Sequence, residues 1–247
     1  MRFLLDDEPI GRIDARESEL LSTVLPTAAV EGDVMRWKPG TLSPELRSRQ
    51  IQAAAVLLRE RGAIRGWRDE RYRCERPVPD PCLAFSEELF SLERSAFRFF
   101  GLMSRAVHIN GWRRDGRIWC GRRAPGKAID PGRLDNLAAG GLPAGEAVLD
   151  CARRELFEEA GVPSAQAWPL EDRGAVRTQR EEAEGWHDEV LHVFDLLLPD
   201  DFVPANQDGE VSEFLLLDLT TLIERQAEFT ADAWAALQLS SVLQARS

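Results

Sequence analysis

Residues 140–162 read GGLPAGEAVLDCARRELFEEAGV. The part from about 147 to 160 is strongly helical in texture, and Gly161 stands where a helix closes on a left-handed residue. On such a helix Glu155, Glu158 and Glu159 fall at i, i+3 and i+4, so three carboxylates share one face. Like charges at that spacing repel unless something neutralises them. A hard divalent cation does so, because Mg²⁺ takes oxygen ligands and bridges to substrate phosphates. Glu146, in the turn ahead of the helix, is in reach of the same metals or of Arg154. Gly140 and Gly141 allow close backbone approach, where a carbonyl can ligate metal. Cys151 is expected to turn away from the Glu155/Glu159 stripe as a small core residue.

Immediately upstream the sign of the charge reverses. Arg122, Arg123, Lys127 and Arg133 lie in a loop-rich stretch. They read as a clamp on substrate phosphates, since Arg forks bind two oxygens at once, or as a solvated loop balancing nearby acid. Trp67, Trp112, Trp119 and Trp186 offer flat faces for a heterocycle or for the core, with Trp67 and Trp112 ranked first as substrate contacts. His108 alternates with Val107 and Ile109 on a predicted strand, and is read as a polar contact to substrate, not a metal ligand.

The composition fits this picture. The chain has 247 residues, 31 Lys+Arg against 42 Asp+Glu, and a net charge of −11. An acidic surface argues against partners such as nucleic acid or anionic membrane, which need clustered Lys and Arg. It leaves room for an anionic small molecule held through a cation. No apolar run approaches the ~20 residues of a membrane span. The apolar patch in MRFLLDDEPIGR is too short for a signal-peptide core, so a cytoplasmic location is expected. The four cysteines form no CxxC pair, which disfavours structural zinc and points to reduced thiols.

Farther out, residues 43–61 read as a helix, with Ser43 as N-cap and Pro44 in the first turn. Residues 77–82 form a proline-rich loop. Residues 87–101 are predicted helical from the stripe Leu89, Leu92, Phe97 and Phe100. Residues 105–112 and 117–123 are expected to form a hairpin around a turn at 113–116. Strands are predicted at 189–198 and 213–219, and a final helix at about 230–244 with Trp234, Leu237 and Val242 buried. The organisation expected is a small α+β module at 1–98, of unassigned role, and a mixed α/β sandwich at 99–247.

Residues 140–162 resemble the signature of the Nudix hydrolases at all nine defining positions. Seven fixed residue types plus two apolar ones match by chance less than about once in a billion start sites. The resemblance implies an α/β/α sandwich around a mixed sheet and Mg²⁺- or Mn²⁺-dependent attack of water on a diphosphate. It assigns catalytic roles to Arg154, Glu155, Glu158 and Glu159, and metal binding to these three glutamates with Glu146 and Gly140. Several such enzymes draw a general base from outside the signature. Glu182 and Glu184, in a predicted loop, therefore rival Glu159.

GWRDERY (66–72), LERSAFRFFG (92–101), VHINGW (107–112), the stretch 121–146 and DGEVSEF (208–214) are similar to one Nudix subfamily, described as thiamin-pyrophosphokinase-related. That resemblance implies cleavage of thiamin diphosphate, or its damaged oxy and oxo forms, to the monophosphate. The alternatives are hydrolysis of nucleoside diphosphate derivatives such as ADP-ribose or NADH, isomerisation of isopentenyl diphosphate with Cys120 as proton carrier, and a ligand-sensing domain without catalysis. The oligomeric state, monomer or homodimer, stays open.

Overall fold

The computed structural model describes residues 1–127, 129–163 and 169–244. The chain divides into two compact units. The first comprises residues 1–104, 143–145 and 177–190, and the second comprises 105–142, 146–176 and 191–247.

The first unit opens with a mixed four-stranded sheet of order β2-β1-β4-β3, made of β1 (Arg2–Leu5), β2 (Glu8–Arg12), β3 (Ala28–Glu31) and β4 (Val34–Trp37). β1 and β4 run parallel, and the other pairs antiparallel. Helix α1 (Ser18–Val24) joins β2 to β3. The long α2 (Pro44–Glu60) starts where Ser43 accepts the Leu46 N–H and Pro44 occupies the first turn. Its face of Ile51, Ala54, Ala55 and Leu58 is buried with Phe3, Trp37, Phe90 and Phe100 in one core.

β5 (Arg71–Glu75) and β6 (Glu88–Glu93) pair antiparallel, Tyr72 opposite Leu92. The helix expected over 87–101 is thus a strand followed by the short α3 (Ala96–Phe100). α2 explains the difference. Its Ser48 hydroxyl accepts the Ser91 N–H and its Gln52 carbonyl accepts the Glu93 N–H, satisfying an edge that β5 leaves open. Leu89, Phe90 and Leu92 are all buried, so the strand lacks the alternation that would have betrayed it.

The second unit is built on a seven-stranded sheet of β7 (Ser104–Arg113), β8 (Ile118–Arg123), β9 (Leu134–Asp135), β10 (Ala138–Gly141), β11 (Leu170–Glu182), β12 (Gly185–Leu198) and β13 (Val211–Leu217). Its main path runs β11-β12-β7-β8-β13, with β10 on β7 and β9 on β8. The expected β7–β8 hairpin forms, its turn falling at 114–117, one residue later than the predicted 113–116, with Gly116 at φ 81°.

Period-two alternation along β7 assigns its two faces. Val107 and Ile109 join the core beneath α4 (Val148–Ala160), with Leu137, Ala152, Leu156 and Phe194. Trp112, with Ile118 and Cys120 of β8, packs instead under α5 (Leu219–Glu224) and α6 (Ala231–Leu239). Helices on both faces of the sheet make an α/β/α sandwich.

The same side of β7 carries a buried polar chain. His108 Nδ1 donates to Asn136 Oδ1 at 2.6 Å, Asn136 Nδ2 to Asn110 Oδ1 at 2.6 Å, and Asn110 Nδ2 to Asp195 Oδ1 at 3.1 Å. Asp195 Oδ2 accepts the Ser240 hydroxyl and both the N–H and hydroxyl of Ser241, each at 3.0 Å. These serines break the expected 230–244 helix into α6 and α7 (Ser241–Gln244), Ser240 itself being extended with ψ 135°.

Candidate functional site

Helix α4 carries the three expected carboxylates, and the strand facing it explains why Gly140 is glycine. β10 pairs with β7, Gly140 opposite Val107, and turns toward α4. The Glu155 carboxylate lies so close over Gly140 that an added Cβ would stand 2.0 Å from its Cδ. Glu159 is anchored by β10 one residue earlier: its Oε2 accepts the Ala139 N–H at 2.9 Å. Both side chains are buried, and burial pushes Glu155 up to about 7 and Glu159 well above the usual carboxylate range.

Arg154 organises the other acids. Its guanidinium grips Glu146 through Nε at 3.0 Å and Nη2 at 2.9 Å, while Nη1 donates to Glu155 at 2.6 Å and to Glu158 at 3.0 Å. These contacts lower the Glu146 pKa and raise that of Arg154. Arg154 therefore relieves much of the repulsion on the helix face. Glu146 faces this guanidinium, the second of the two partners open to it. Cys151 does not turn away from the site. It stands one turn before Glu155 on the same face, its thiol donates to the Gly141 carbonyl at 3.4 Å, and Arg154 Nη2 reaches its sulfur at 3.4 Å.

The carboxyl end of α4 brings in two acids that sequence reasoning left unused. Gly161 closes the helix at φ 69°, its N–H bonded to the Phe157 carbonyl and the Val162 N–H to that of Leu156. The remaining carbonyls are taken by residues 205–207: Ala205 N–H donates to Ala160 and Gln207 N–H to Glu158, at 3.0 and 2.8 Å. This docked loop continues into Asp208, whose carboxylate takes the Glu210 N–H and the Asn206 amide. As a result the carboxylate oxygens of Glu159, Asp208 and Glu210 lie within 4.8 Å of one another. All three donors are oxygens, which fits Mg²⁺ or Mn²⁺. The only hint in the sequence was DGEVSEF itself, more than 45 residues past the helix.

The expected cationic clamp divides. Lys127 faces the acids, ion-paired to Glu210 and 3.9 Å from Glu159 Oε1. Arg122 pairs with Glu213 and bonds the Gly132 carbonyl, Arg123 pairs with Asp135 at 2.8 Å, and Arg133 donates to the Phe229 and Ala227 carbonyls. These three hold strands and loops together. Trp112 is buried in the core under the C-terminal helices, and His108 is committed to Asn136. Trp67, in the first unit, bonds Asp69 through its indole N–H under the Arg59 guanidinium. Glu182 is ion-paired with Arg98 and Arg180 there, and Glu184 is exposed in the turn that follows. Cys120 faces the α5/α6 side of the sheet, opposite α4, and burial pushes its thiol up, which suits no proton carrier beside the box.

Similarity to known proteins agrees with the fold and the signature. The NUDIX domain model matches residues 103–238, and a domain of unknown function, DUF4743, matches residues 1–104. The chain is 37% identical over 195 residues to Nudix hydrolase 24, chloroplastic, of Arabidopsis thaliana, covering 77% of this chain and 52% of that protein. It is 31% identical over 154 residues to the uncharacterized Nudix hydrolase YfcD of Escherichia coli K12, covering 62% of this chain and 81% of that one. The solved structure of DR0079 from Deinococcus radiodurans shares the fold, at TM-score 0.52 and 22% identity over 69% of this chain and 97% of that one. The chain spans about half the length of the Arabidopsis relatives it matches. With the family model covering more than half of its residues and the nine signature positions assembled on β10, α4 and the loops beside that helix, the chain belongs to the Nudix hydrolase family.

Proposed function

We propose that the protein is a pyrophosphohydrolase that uses Mg²⁺ or Mn²⁺ to cleave the diphosphate of a small organic substrate, with thiamin diphosphate and its oxy and oxo forms as the substrate class. The observation that carries the reaction class is the oxygen cluster of Glu159, Asp208 and Glu210 beside the Glu155–Gly140 contact. When bound there, a divalent cation polarises phosphoryl oxygens and offsets their charge.

The protein's own groups divide the remaining work. Glu159, Asp208 and Glu210, with Glu155 and Glu158 beside them, would hold the cation. Glu159 Oε1 is the oxygen that Ala139 leaves open, so it is the atom suited to accept a proton from the attacking water. Lys127 neutralises a phosphate oxygen at the edge of the cluster. Arg154 keeps the carboxylates in register through four hydrogen bonds, a positioning role. Water adds to one phosphorus, the bridging P–O bond breaks, and the products are the monophosphate and inorganic phosphate.

The substrate class rests on the subfamily resemblance, which covers the chain from about residue 45 to the C-terminus and so includes residues of both units. The test is a panel of thiamin diphosphate, its oxy and oxo forms, ADP-ribose, NADH and nucleoside triphosphates, with and without Mg²⁺. Cation-dependent monophosphate release, fastest from the thiamin analogues, is expected. Preference for ADP-ribose would overturn the substrate class and leave the reaction class standing.

A further inference from the structure

Lys127 sits where the cation is expected. Its ammonium is ion-paired to Glu210 and lies 3.9 Å from Glu159 Oε1, two of the three carboxylates that converge within 4.8 Å. The side chain is only 15% exposed, so this is not a loose surface pair. Its backbone is tied down as well: the Lys127 N–H donates to the Ala124 carbonyl, and the Ala124 N–H donates to the Glu210 carbonyl. Residues 124–127 and Glu210 are thus two main-chain segments joined by a hydrogen bond, while the four-carbon stem leaves the Lys127 ammonium free to change partners.

An ammonium and a divalent cation compete for the same carboxylate oxygens and repel each other at this separation. We infer that Lys127 is the resident counter-ion of this carboxylate cluster, that a divalent cation must displace its ammonium to bind, and that the displaced ammonium is thereby released toward the substrate's phosphates. This rests on the cation site proposed above. It makes Lys127 a two-position residue: it lowers the cation affinity of the free protein and becomes available for phosphate only once the cation is in place. The linkage is reciprocal, since whatever draws Lys127 away from Glu210 also tightens cation binding.

The lysine content makes this directly observable. Lys38 and Lys127 are the only lysines in the chain. Lys38 is paired with Glu31 in the first unit, far from the cluster in sequence, and serves as an internal control. Full-length protein labelled with ¹³C-lysine gives two sets of Cε–Hε signals, assigned with Lys38→Arg and Lys127→Arg. Saturating Mg²⁺ without substrate is expected to shift the Lys127 signal and leave that of Lys38 in place. In parallel, Mn²⁺ titrated into Lys127→Met and followed by calorimetry or electron paramagnetic resonance should bind about fivefold to tenfold tighter than to wild type. Far-ultraviolet circular dichroism and the metal-free Tm confirm that the variant is folded. A Lys127 signal unmoved by a cation that does bind, or equal or weaker Mn²⁺ affinity in Lys127→Met, overturns the displacement. Failure of wild-type protein to bind Mn²⁺ at all overturns the cation site itself, and the inference with it.

Discussion

The Glu155 carboxylate occupies the space that a side chain on Gly140 would need: a Cβ there would fall 2.0 Å from Glu155 Cδ and 2.0 Å from its Oε1. β10 cannot yield without disturbing Ala139, the next residue, whose N–H anchors Glu159. Gly140→Ala should therefore expel the Glu155 carboxylate and weaken Mn²⁺ binding by about tenfold to a hundredfold. Calorimetric titration checks this, and an unchanged affinity would show that Glu155 plays no part in holding the cation.

Glu159→Gln keeps a carbonyl able to accept the Ala139 N–H but removes the proton acceptor. Turnover with Mg²⁺ should fall by about 10²- to 10⁴-fold, the usual scale of general base catalysis. Because a buried carboxylate is lost, Tm without metal should hold or rise. A variant at wild-type rate would transfer the base role to another residue, with Asp208 and Glu210 next in line.

Proton binding sets a pH signature for the metal-free protein. Burial lifts Glu155 from 4.5 to about 7, and Glu159 moves the same way. A raised carboxylate pKa means that the folded state holds protons the unfolded state has lost. The resulting stabilisation is full below about 4.5 and disappears as the pH rises toward 7, with a slope of at most about 1.4 kcal/mol per pH unit per proton. Metal-free Tm should thus decline between pH 5 and pH 8, and the Tm gain from Mg²⁺ should grow over the same range. Thermal melts in buffers of matched ionic strength would show both trends, and a gain that shrinks with pH would contradict them.

Gly161→Ala strikes the loop that carries the distal acids. The position has φ 69°, and an added Cβ would meet the Ala205 carbonyl oxygen at 2.6 Å. A stability loss of about 1–2 kcal/mol is expected from the left-handed backbone, with more from the clash. Cation affinity should fall together with stability, because residues 205–207 hold Asp208 and Glu210 against Glu159. Denaturant melts and Mn²⁺ titration on one sample separate the two effects.

Local pattern made the box readable. Glu155, Glu158 and Glu159 follow from helical spacing, Ser43–Pro44 from capping chemistry, and the β7–β8 turn from its Arg-Arg-Asp-Gly sequence. What escaped the sequence was decided by partners distant along the chain. Residues 88–93 became a strand because Ser48 and Gln52 on α2 answer its free N–H groups. Asp208 and Glu210 reached the site because α4 left carbonyls open at its end. Arg122, Arg123 and Arg133 looked equivalent to Lys127 by charge. Only the fold shows that carboxylates and carbonyls outside the three-acid cluster already occupy them.

The family model stops at residue 238, yet Ser240 and Ser241 supply three hydrogen bonds to Asp195, which is itself buried. The smallest piece of this chain that can be excised and still fold is therefore longer at its end than family resemblance suggests. Cutting after residue 238 would strip Asp195 Oδ2 of its three hydrogen bonds and leave it, among the described residues, only the longer ion pair with Arg173, at 3.7 Å, at a cost of about 1–3 kcal/mol. A version ending after Ser241 should melt close to the full chain, and one ending at Gln238 should melt far below it or fail to accumulate. Those two serines, beyond the residues the family model matches, set the practical limit of the domain.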